Sequence, residues 1–304
     1  MAKGRKAVNY DCAIVGGGFA GVQAAIQLGR YRHSVVVLDR EGGRSSLCRR
    51  YHNLLGWPDG VSGPELLRLG RRQAEELGVR FVRADIGRAE RRGDSFTLHA
   101  DDGTVYRARR LLLATGVKDR LPDLPGLLPC LGLTIFICPD CDGYEVRGRR
   151  TLVIGSGDAG ANMALTLAYW TNDLVYVNHE GKAVSPDRME QIRHLGIEYR
   201  EEAVIRLETD GGELLGIELQ SGDRMPFNRA FLALGGNEVK SELAVQLGVA
   251  VADNRHIKVD PRTKLTNVEH VWAAGDVTVH SEQAIIAMGD GAQAAIWMHK
   301  SLLS

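Results

Sequence analysis

The chain has 304 residues, of which 44% are hydrophobic and 25% are charged. Its length favours two domains, and its composition excludes disordered, collagen-like and coiled-coil proteins. Lysine and arginine number 38, as do aspartate and glutamate, so the formal net charge is zero and no overall field favours nucleic acid or an anionic membrane. No apolar run approaches the roughly 20 residues of a membrane-spanning helix, and no apolar signal segment follows the basic first six residues. We therefore expect a cytoplasmic protein.

The first predicted elements are a strand, a glycine turn, a helix and a second strand. Residues 12–18 read as a buried strand that runs into glycines, residues 19–28 have helical character, and residues 34–39 form a β-branched run that ends in Asp39. The turn has G-x-G-x-x-G spacing at Gly16, Gly18 and Gly21. This context makes the spacing a dinucleotide-binding fingerprint, because the glycines allow a tight turn, close approach of a pyrophosphate and close helix packing, while the acid accepts hydrogen bonds from a ribose.

The same unit recurs once further along the chain. Residues 151–154 predict a strand, Gly155 and Gly157 lie in its glycine turn, a helix follows to about residue 170, and residues 174–177 predict the next strand. Such an internal repeat indicates two nucleotide-binding folds in one chain.

Other stretches complete two similar halves. Residues 111–116 and 230–236 each read as a buried strand ending in glycine, and residues 270–276 read as a strand ending in Gly-Asp. Residues 117–129 hold three prolines and are typical of a linker. An alanine-rich helical pattern runs from residue 283 to about residue 301.

Two of the five cysteines form a C-x-x-C pair, Cys138 and Cys141. No second cysteine or histidine pair completes a zinc tetrahedron, so we predict no metal site. Two thiols at this spacing can form a disulfide, and a helix start lowers the pKa of a nearby thiol. Asp140 and Asp142 oppose a thiolate, so an acid here reads better as a proton shuttle. The remaining cysteines are expected to be small buried hydrophobes: Cys12, Cys48 and Cys130.

Taken together, these motifs resemble the low-molecular-weight thioredoxin reductases and related flavin disulfide oxidoreductases. The motifs occur in the family's order over essentially the whole chain: GGGFAG at 16–21, ATG at 114–116, CPDCDG at 138–143, GSG at 155–157 and AGDV at 274–277. The resemblance implies an α/β protein with two Rossmann-like dinucleotide-binding domains. An FAD domain over 1–117 and 240–304 would be split by an NAD(P)-type domain over 118–239 that carries the redox pair. The resemblance also implies a homodimer.

The resemblance assigns roles to individual residues. It implies that these residues bind FAD: Gly16, Gly18, Gly21, Asp39, Asn53, Ala114, Gly116, Asp276 and Gln283. Asp276 matches the acid that binds the ribityl chain, and Gln283 lies at the helix start that faces the isoalloxazine. In the redox pair, Cys141 would face the flavin, Cys138 would exchange with the protein substrate, and Asp142 would move protons. A flavin suits this chemistry, because side chains alone do not supply the two electrons that reduce a disulfide.

The second glycine turn departs from the family's NADPH pattern. NADPH-using members have His-Arg-Arg after the following strand, whereas this chain has residues 178–180, Asn-His-Glu. Glu180 would repel a 2′-phosphate, and Lys182 is the nearest cation in the sequence. Asn162 and Glu282 also replace a glutamate and an arginine of the family. We therefore expect a poor NADPH site, with the glycines at 155 and 157 kept as candidate cofactor-binding residues.

We expect an FAD-dependent disulfide oxidoreductase that passes electrons from flavin through Cys138 and Cys141 to a thioredoxin-like protein. NADH remains a candidate donor, with Asn178 or Glu180 meeting the free 2′-hydroxyl, and so does a protein such as ferredoxin. The run at 143–145, Gly-Tyr-Glu, also resembles flavin dithiol oxidases, which pass electrons from a small dithiol to oxygen. A flavin redox sensor without turnover is the third alternative.

Overall fold

The computed structural model describes residues 8–303, so the basic stretch at residues 1–6 lies outside the described residues. The strands are β1 (Val8–Val15), β2 (Val35–Asp39), β3 (Arg80–Arg83), β4 (Ile86–Arg92), β5 (Ser95–Ala100), β6 (Val105–Leu113), β7 (Val117–Lys118), β8 (Ile135–Phe136), β9 (Thr151–Gly155), β10 (Leu174–Asn178), β11 (Glu198–Arg200), β12 (Val204–Asp210), β13 (Glu213–Leu219), β14 (Arg224–Pro226), β15 (Ala230–Ala233), β16 (Glu238–Val239) and β17 (Val271–Ala273). The helices are α1 (Phe19–Arg30), α2 (Gly63–Glu76), α3 (Leu127–Cys130), α4 (Pro139–Asp142), α5 (Gly157–Leu167), α6 (Pro186–His194), α7 (Glu242–Gln246) and α8 (Ala284–Leu303). Short 3₁₀ turns occupy Arg44–Ser46 and Gly143–Val146.

The chain folds into two compact units. The outer unit holds the chain up to residue 46, residues 64–118 and the chain from residue 238, and the inserted unit holds residues 47–63 and 119–237. The sequence analysis placed residues 47–63 with the FAD domain, whereas they pack with the inserted unit because the backbone N–H of Arg49 donates to Leu131 O at 3.3 Å.

The outer unit has a central sheet in the order β3-β2-β1-β6, with all four strands parallel. The long strand β6 serves two partners, since its first half pairs antiparallel with β5 and its second half pairs parallel with β17. In β2, residues 35–38 are fully buried, as expected for a parallel strand covered on both faces. Helices α1 and α8 approach closely, because a Cβ on Gly291 would lie 2.1 Å from Ala20 O.

The inserted unit repeats this design with a parallel sheet in the order β11-β10-β9-β15-β8. A separate antiparallel sheet, β12-β13-β14, packs on the same hydrophobic core. Two expected boundaries shift slightly: α5 ends at Leu167 rather than near residue 170, and the first two residues of the expected linker form β7. Across residues 8–303, none of the helices is long and apolar enough to cross a membrane.

Candidate active site and the two glycine turns

The outer unit gathers the predicted FAD residues at one edge of its sheet. The strands β1, β2, β6 and β17 run parallel, so their carboxyl ends meet at the same edge. In open α/β sheets this edge is where ligands bind. The following predicted residues lie at the strand ends or in the loops that follow them: Gly16, Gly18, Asp39, Ala114, Gly116 and Asp276.

The first glycine turn has no room for a side chain at Gly16 or Gly21. Gly16 has a φ of +108°, and a Cβ there would lie 2.1 Å from Ala114 O. A Cβ on Gly21 would lie 2.0 Å from Gly16 O, which explains how α1 packs so closely on the turn. Gly18 is the N-cap of α1, and the first turn of that helix, residues 19–22, is uncharged. The positive end of the helix is therefore suited to an anionic pyrophosphate.

Asp276 follows β17 and belongs to a charged cluster. The Arg44 guanidinium donates to Asp276 Oδ2 at 3.0 Å and also contacts the Glu282 carboxylate. Burial raises the pKa of Asp276, although Arg44 opposes that rise. Gln283, directly after Glu282, precedes the first residue of α8, as the sequence predicted for the helix start. The sequence analysis missed Arg44, because it lies 232 residues from Asp276.

A second cluster supports the turn before Asp276. The backbone N–H of Gly275 donates to Asp290 Oδ2 at 3.2 Å, and the Asp290 carboxylate also pairs with Lys264 at 2.7 Å and with His280. Lys264 has a φ of +59°, a conformation that non-glycine residues rarely adopt. These three side chains fix the loop that carries Asp276, and no sequence motif identified them.

The redox pair lies at the start of α4 in the inserted unit. Cys138 is the N-cap of this helix, and Cys141 lies within it. Both residues are free thiols, and the Cys141 backbone N–H donates to Cys138 O at 3.2 Å. Hydrogen bonding with Cys141 lowers the pKa of Cys138, whereas the hydrogen bond between the two thiols, with burial, raises the pKa of Cys141. Cys138 is therefore the more readily ionised, nucleophilic member of the pair.

Asp142 follows the pair directly, and burial, reinforced by the Glu145 charge, raises its pKa to about 7. A carboxyl group with this pKa can both hold and release a proton at neutral pH. The other cysteines differ. Cys12 and Cys130 are fully buried, and burial raises the pKa of Cys48 to about 12.

At the second glycine turn, in the inserted unit, the backbone groups form hydrogen bonds with side chains of the same unit. The backbone N–H of Gly157 donates to Asn178 Oδ1 at 3.0 Å, and the Tyr176 hydroxyl donates to Gly157 O at 2.7 Å. Asn178 is fully buried, and its Nδ2 donates to Lys182 O at 2.7 Å and to the Tyr199 hydroxyl at 3.0 Å. The turn is therefore closed by the end of β10 and by the loop that follows it.

Two carboxylates lie at the same turn. Asp158, in the first turn of α5, accepts from the backbone N–H of Ser185 at 2.7 Å. Glu180 contacts Arg120 and pairs with Lys182 at 2.9 Å, and the Arg120 hydrogen bond is the main cause that lowers the pKa of Glu180 to about 2. Asp158 therefore opposes a nucleotide phosphate at this helix start, whereas the charge of Glu180, which the sequence predicted to repel a phosphate, is neutralised by Arg120 and Lys182. The sequence analysis identified Lys182 but missed Arg120, which reaches Glu180 from 60 residues away.

Two further predictions concern Asn53 and the absence of a metal site. Asn53 is exposed on a loop of the inserted unit, so its expected flavin contact stays a prediction. Among the described side chains, no group of three histidines, cysteines or acids is arranged to hold a metal ion.

The site and the fold define an oxidoreductase built from two dinucleotide-type units, one of them carrying a vicinal dithiol. Residues 10–291 match the family described as pyridine nucleotide-disulphide oxidoreductase, and the chain belongs to that family. The predicted fold class and the resemblance to low-molecular-weight thioredoxin reductases are confirmed.

Similar proteins match over nearly their whole length. A thioredoxin reductase of Aquifex aeolicus is 28% identical over 307 residues, covering 96% of this chain and 93% of that protein. A thioredoxin reductase of Mycolicibacterium smegmatis is 28% identical over 297 residues, covering 94% of each. The crystal structure of HlmI is similar, with a TM-score of 0.86, 29% identity and coverage of 97% of this chain and 93% of that one. A crystal structure of an oxidoreductase from Agrobacterium tumefaciens has a TM-score of 0.79 and 28% identity, covering 97% and 99%.

Proposed function

We propose that this chain is an FAD-dependent thiol–disulfide oxidoreductase in which Cys138 and Cys141 exchange electrons between flavin and a thioredoxin-like protein, and in which NADPH is not the donor. The observation that carries the proposal is the pair of free cysteines at the start of α4, with Cys138 at the N-cap and Cys141 within the helix. The thioredoxin reductases among the relatives support the partner class.

The outer unit fits FAD at the carboxyl edge of its sheet. Gly16, Gly18 and Gly21 leave a bare backbone cradle in which a side chain at Gly16 or Gly21 would clash with backbone, and α1 begins there without an acidic residue. Asp39 ends β2, where a ribose hydroxyl is bound in this fold. Asp276 and Gln283 would hold the ribityl chain and the ring. The flavin supplies the two-electron transfer that the side chains lack.

The dithiol residues then have distinct roles. The Cys138 thiolate attacks one sulfur of the partner's disulfide, and the partner's other sulfur leaves as a thiolate. Cys141 next attacks Cys138 Sγ in the mixed disulfide, which releases the second partner thiolate and leaves Cys138 and Cys141 joined as a disulfide. Asp142, with its pKa of about 7, takes the Cys141 proton and passes it to a leaving thiolate.

The closed turn of the inserted unit supports a donor other than NADPH. A pyrophosphate at α5 would need the backbone N–H of Gly157, which donates to Asn178 instead. Its charge would also meet the Asp158 carboxylate in the first turn of α5. Asn178 is buried, and Glu180 is ion-paired, so neither is available to the 2′-hydroxyl of NADH. A reduced ferredoxin-like protein is the donor class that remains from the sequence analysis.

The same closed turn favours a second candidate, a flavin dithiol oxidase. Without a nicotinamide site, electrons can enter at the dithiol pair and leave through flavin. A small dithiol would reduce the Cys138–Cys141 disulfide, the pair would pass two electrons to flavin, and oxygen would take them up as hydrogen peroxide. Both candidates use the same residues and differ in the direction of electron flow.

An anaerobic titration that follows flavin absorbance tests these proposals. We expect no bleaching by NADPH or NADH, and bleaching by dithionite. Bleaching by reduced ferredoxin supports the reductase, whereas bleaching by small dithiols with rapid reoxidation in air supports the oxidase. Rapid bleaching by NADPH would overturn the donor assignment, and a protein that stays colourless after reconstitution with FAD would overturn the whole proposal.

Replacing the attacking thiol tests the role of the pair. Cys138→Ser should abolish thiol–disulfide turnover while FAD stays bound, since the cradle lies in the outer unit. The matched control is Cys130→Ala, a buried cysteine of α3 that should keep both FAD and turnover. Full turnover by Cys138→Ser would contradict the assignment.

A further inference from the structure

Arg44 lies between two carboxylates of the outer unit. Its Nη1 lies 3.0 Å from Asp276 Oδ2 and also contacts Glu282. The exposed fractions of the three side chains are 24% for Arg44, 20% for Asp276 and 32% for Glu282. On the other side of Glu282, His256 Nε2 lies 3.4 Å from the carboxylate. One guanidinium therefore holds two acids that come from the loop between β17 and α8.

The charge balance of this cluster depends on Arg44. Burial disfavours ionisation of Asp276, the Glu282 charge disfavours it further, and Arg44 opposes both. Without the guanidinium, two carboxylates would face each other in a mostly buried site, and the pKa of Asp276 would rise further. An ionised carboxylate only accepts hydrogen bonds, whereas a protonated one also donates and accepts fewer. Protonation would therefore change how the Asp276 carboxyl group binds hydroxyl groups.

We infer that Arg44 is a positioning residue for the flavin: it favours the ionised Asp276 carboxylate and orients it toward the ribityl hydroxyls, and Glu282, which contacts the same Nη1, helps to fix the guanidinium. The inference rests on the proposed function, in which Asp276 binds the ribityl chain. Arg44 acts here through Asp276 and not through its own contact with the cofactor. A variant of Asp276 therefore tests whether Arg44 acts through that carboxylate.

The groups that face Asp276 must be considered together. Arg44 approaches from the 3₁₀ turn at 44–46, and Glu282 and His280 approach from the loop before α8. His256 faces Glu282, while Lys264 and Asp290 hold the preceding residue, Gly275. His280 is already tied to Asp290, so Arg44 is the cation with a direct ion pair to Asp276.

The experiment measures the dissociation constant of FAD from purified holoprotein, by release of flavin fluorescence on dilution, between pH 6 and pH 8.5. We expect Arg44→Met to weaken FAD binding at least tenfold at pH 7. Because removal of the guanidinium raises the pKa of Asp276, the loss should be larger at pH 6 than at pH 8.5. Arg44→Lys should bind FAD with intermediate strength because it keeps a positive charge, and Glu282→Gln should change binding less than threefold. The control Arg71→Met alters an exposed ion pair on α2 and should bind FAD as the wild type does.

A double variant separates positioning from direct contact. Arg44→Met combined with Asp276→Asn should bind FAD no more weakly than Asp276→Asn alone, since Arg44 acts through that carboxylate. Additive losses, or a loss of equal size at pH 6 and pH 8.5, would overturn the inference. So would unchanged FAD binding by Arg44→Met in a wild-type background that binds FAD. If the wild type itself binds no FAD, the proposed function fails, and the inference fails with it.

Discussion

The closed turn of the inserted unit makes a sharp prediction at Asn178. This side chain is fully buried and joins the turn at Gly157 to the loop at Lys182. Asn178→Ala leaves the Gly157 N–H and the Lys182 carbonyl without their partner. A buried polar group that loses its partner costs about 1–3 kcal/mol, so we expect a loss of about 2–4 kcal/mol after partial relaxation of the loop.

Two further variants identify the cause of that loss. Asn178→Asp keeps an acceptor for Gly157 but turns a carboxylate toward Lys182 O, which raises the pKa of the new acid. An acid whose pKa is raised in the folded state favours the fold while it is protonated, and this contribution is lost as pH rises through the folded-state pKa. Asn178→Asp should therefore regain stability as pH falls. Asn162→Ala, an exposed position on α5, is the matched control and should stay within about 0.5 kcal/mol of the wild type.

The measurement is urea unfolding followed by tryptophan fluorescence and circular dichroism, fitted to the transition of the inserted unit. NADPH should still fail to bleach the flavin of Asn178→Ala, because the Asp158 carboxylate remains in the first turn of α5. A change in unfolding free energy of less than about 0.5 kcal/mol would refute the reasoning, since hydrogen bonds to a fully buried side chain cannot be lost at so little cost.

Three other predictions follow from the same contacts. Gly21→Ala places a Cβ 2.0 Å from a backbone oxygen and should yield protein depleted of flavin, as measured by the absorbance ratio. Gly289→Ala, at an exposed position of α8 where a Cβ meets nothing within 4 Å, should keep FAD and gain up to about 1 kcal/mol. Asp142→Asn should remove the limb near pH 7 from the pH profile of disulfide reduction, and a retained limb would exclude Asp142 as its source. The Asp290 hydrogen bond raises the pKa of His280, so this pair stabilises the fold at acidic pH. The contribution weakens as pH rises above about 6.5. His280→Gln should therefore reduce the change in unfolding free energy measured between about pH 6 and 8.

Local pattern was enough to predict the elements and the glycine turns. The β-branched run that ends in Asp39 and the three spaced glycines require a strand, a turn and a closely packed helix, and the structure has them with Gly21 nearly in contact with Gly16 O. The redox pair was also predictable, because proline after Cys138 and the spacing to Cys141 favour a helix start.

The long-range charge pairs could not be predicted from the sequence. Arg44 and Asp276 are 232 residues apart, and Arg120 and Glu180 are 60 apart, so neither pairing leaves a local signal. Glu282 looked like a simple loss of the family's arginine, whereas the structure pairs it with Arg44. These contacts depend on which loops the sheet topology brings to one edge, and a periodicity along the chain does not contain that information.

The two glycine turns have the same backbone design and opposite electrostatics, and this contrast limits what each can bind. At the first turn, α1 begins with uncharged residues, so its positive end has no anionic side chain in its own first turn. At the second turn, Asp158 lies in the first turn of α5, and Asn178 accepts the Gly157 N–H that a phosphate would need. Under the proposed function, building a nicotinamide site there would require at least two coordinated changes, removal of the Asp158 charge and release of the Asn178 bond. We therefore expect that a single substitution at either position does not let NADPH bleach the flavin.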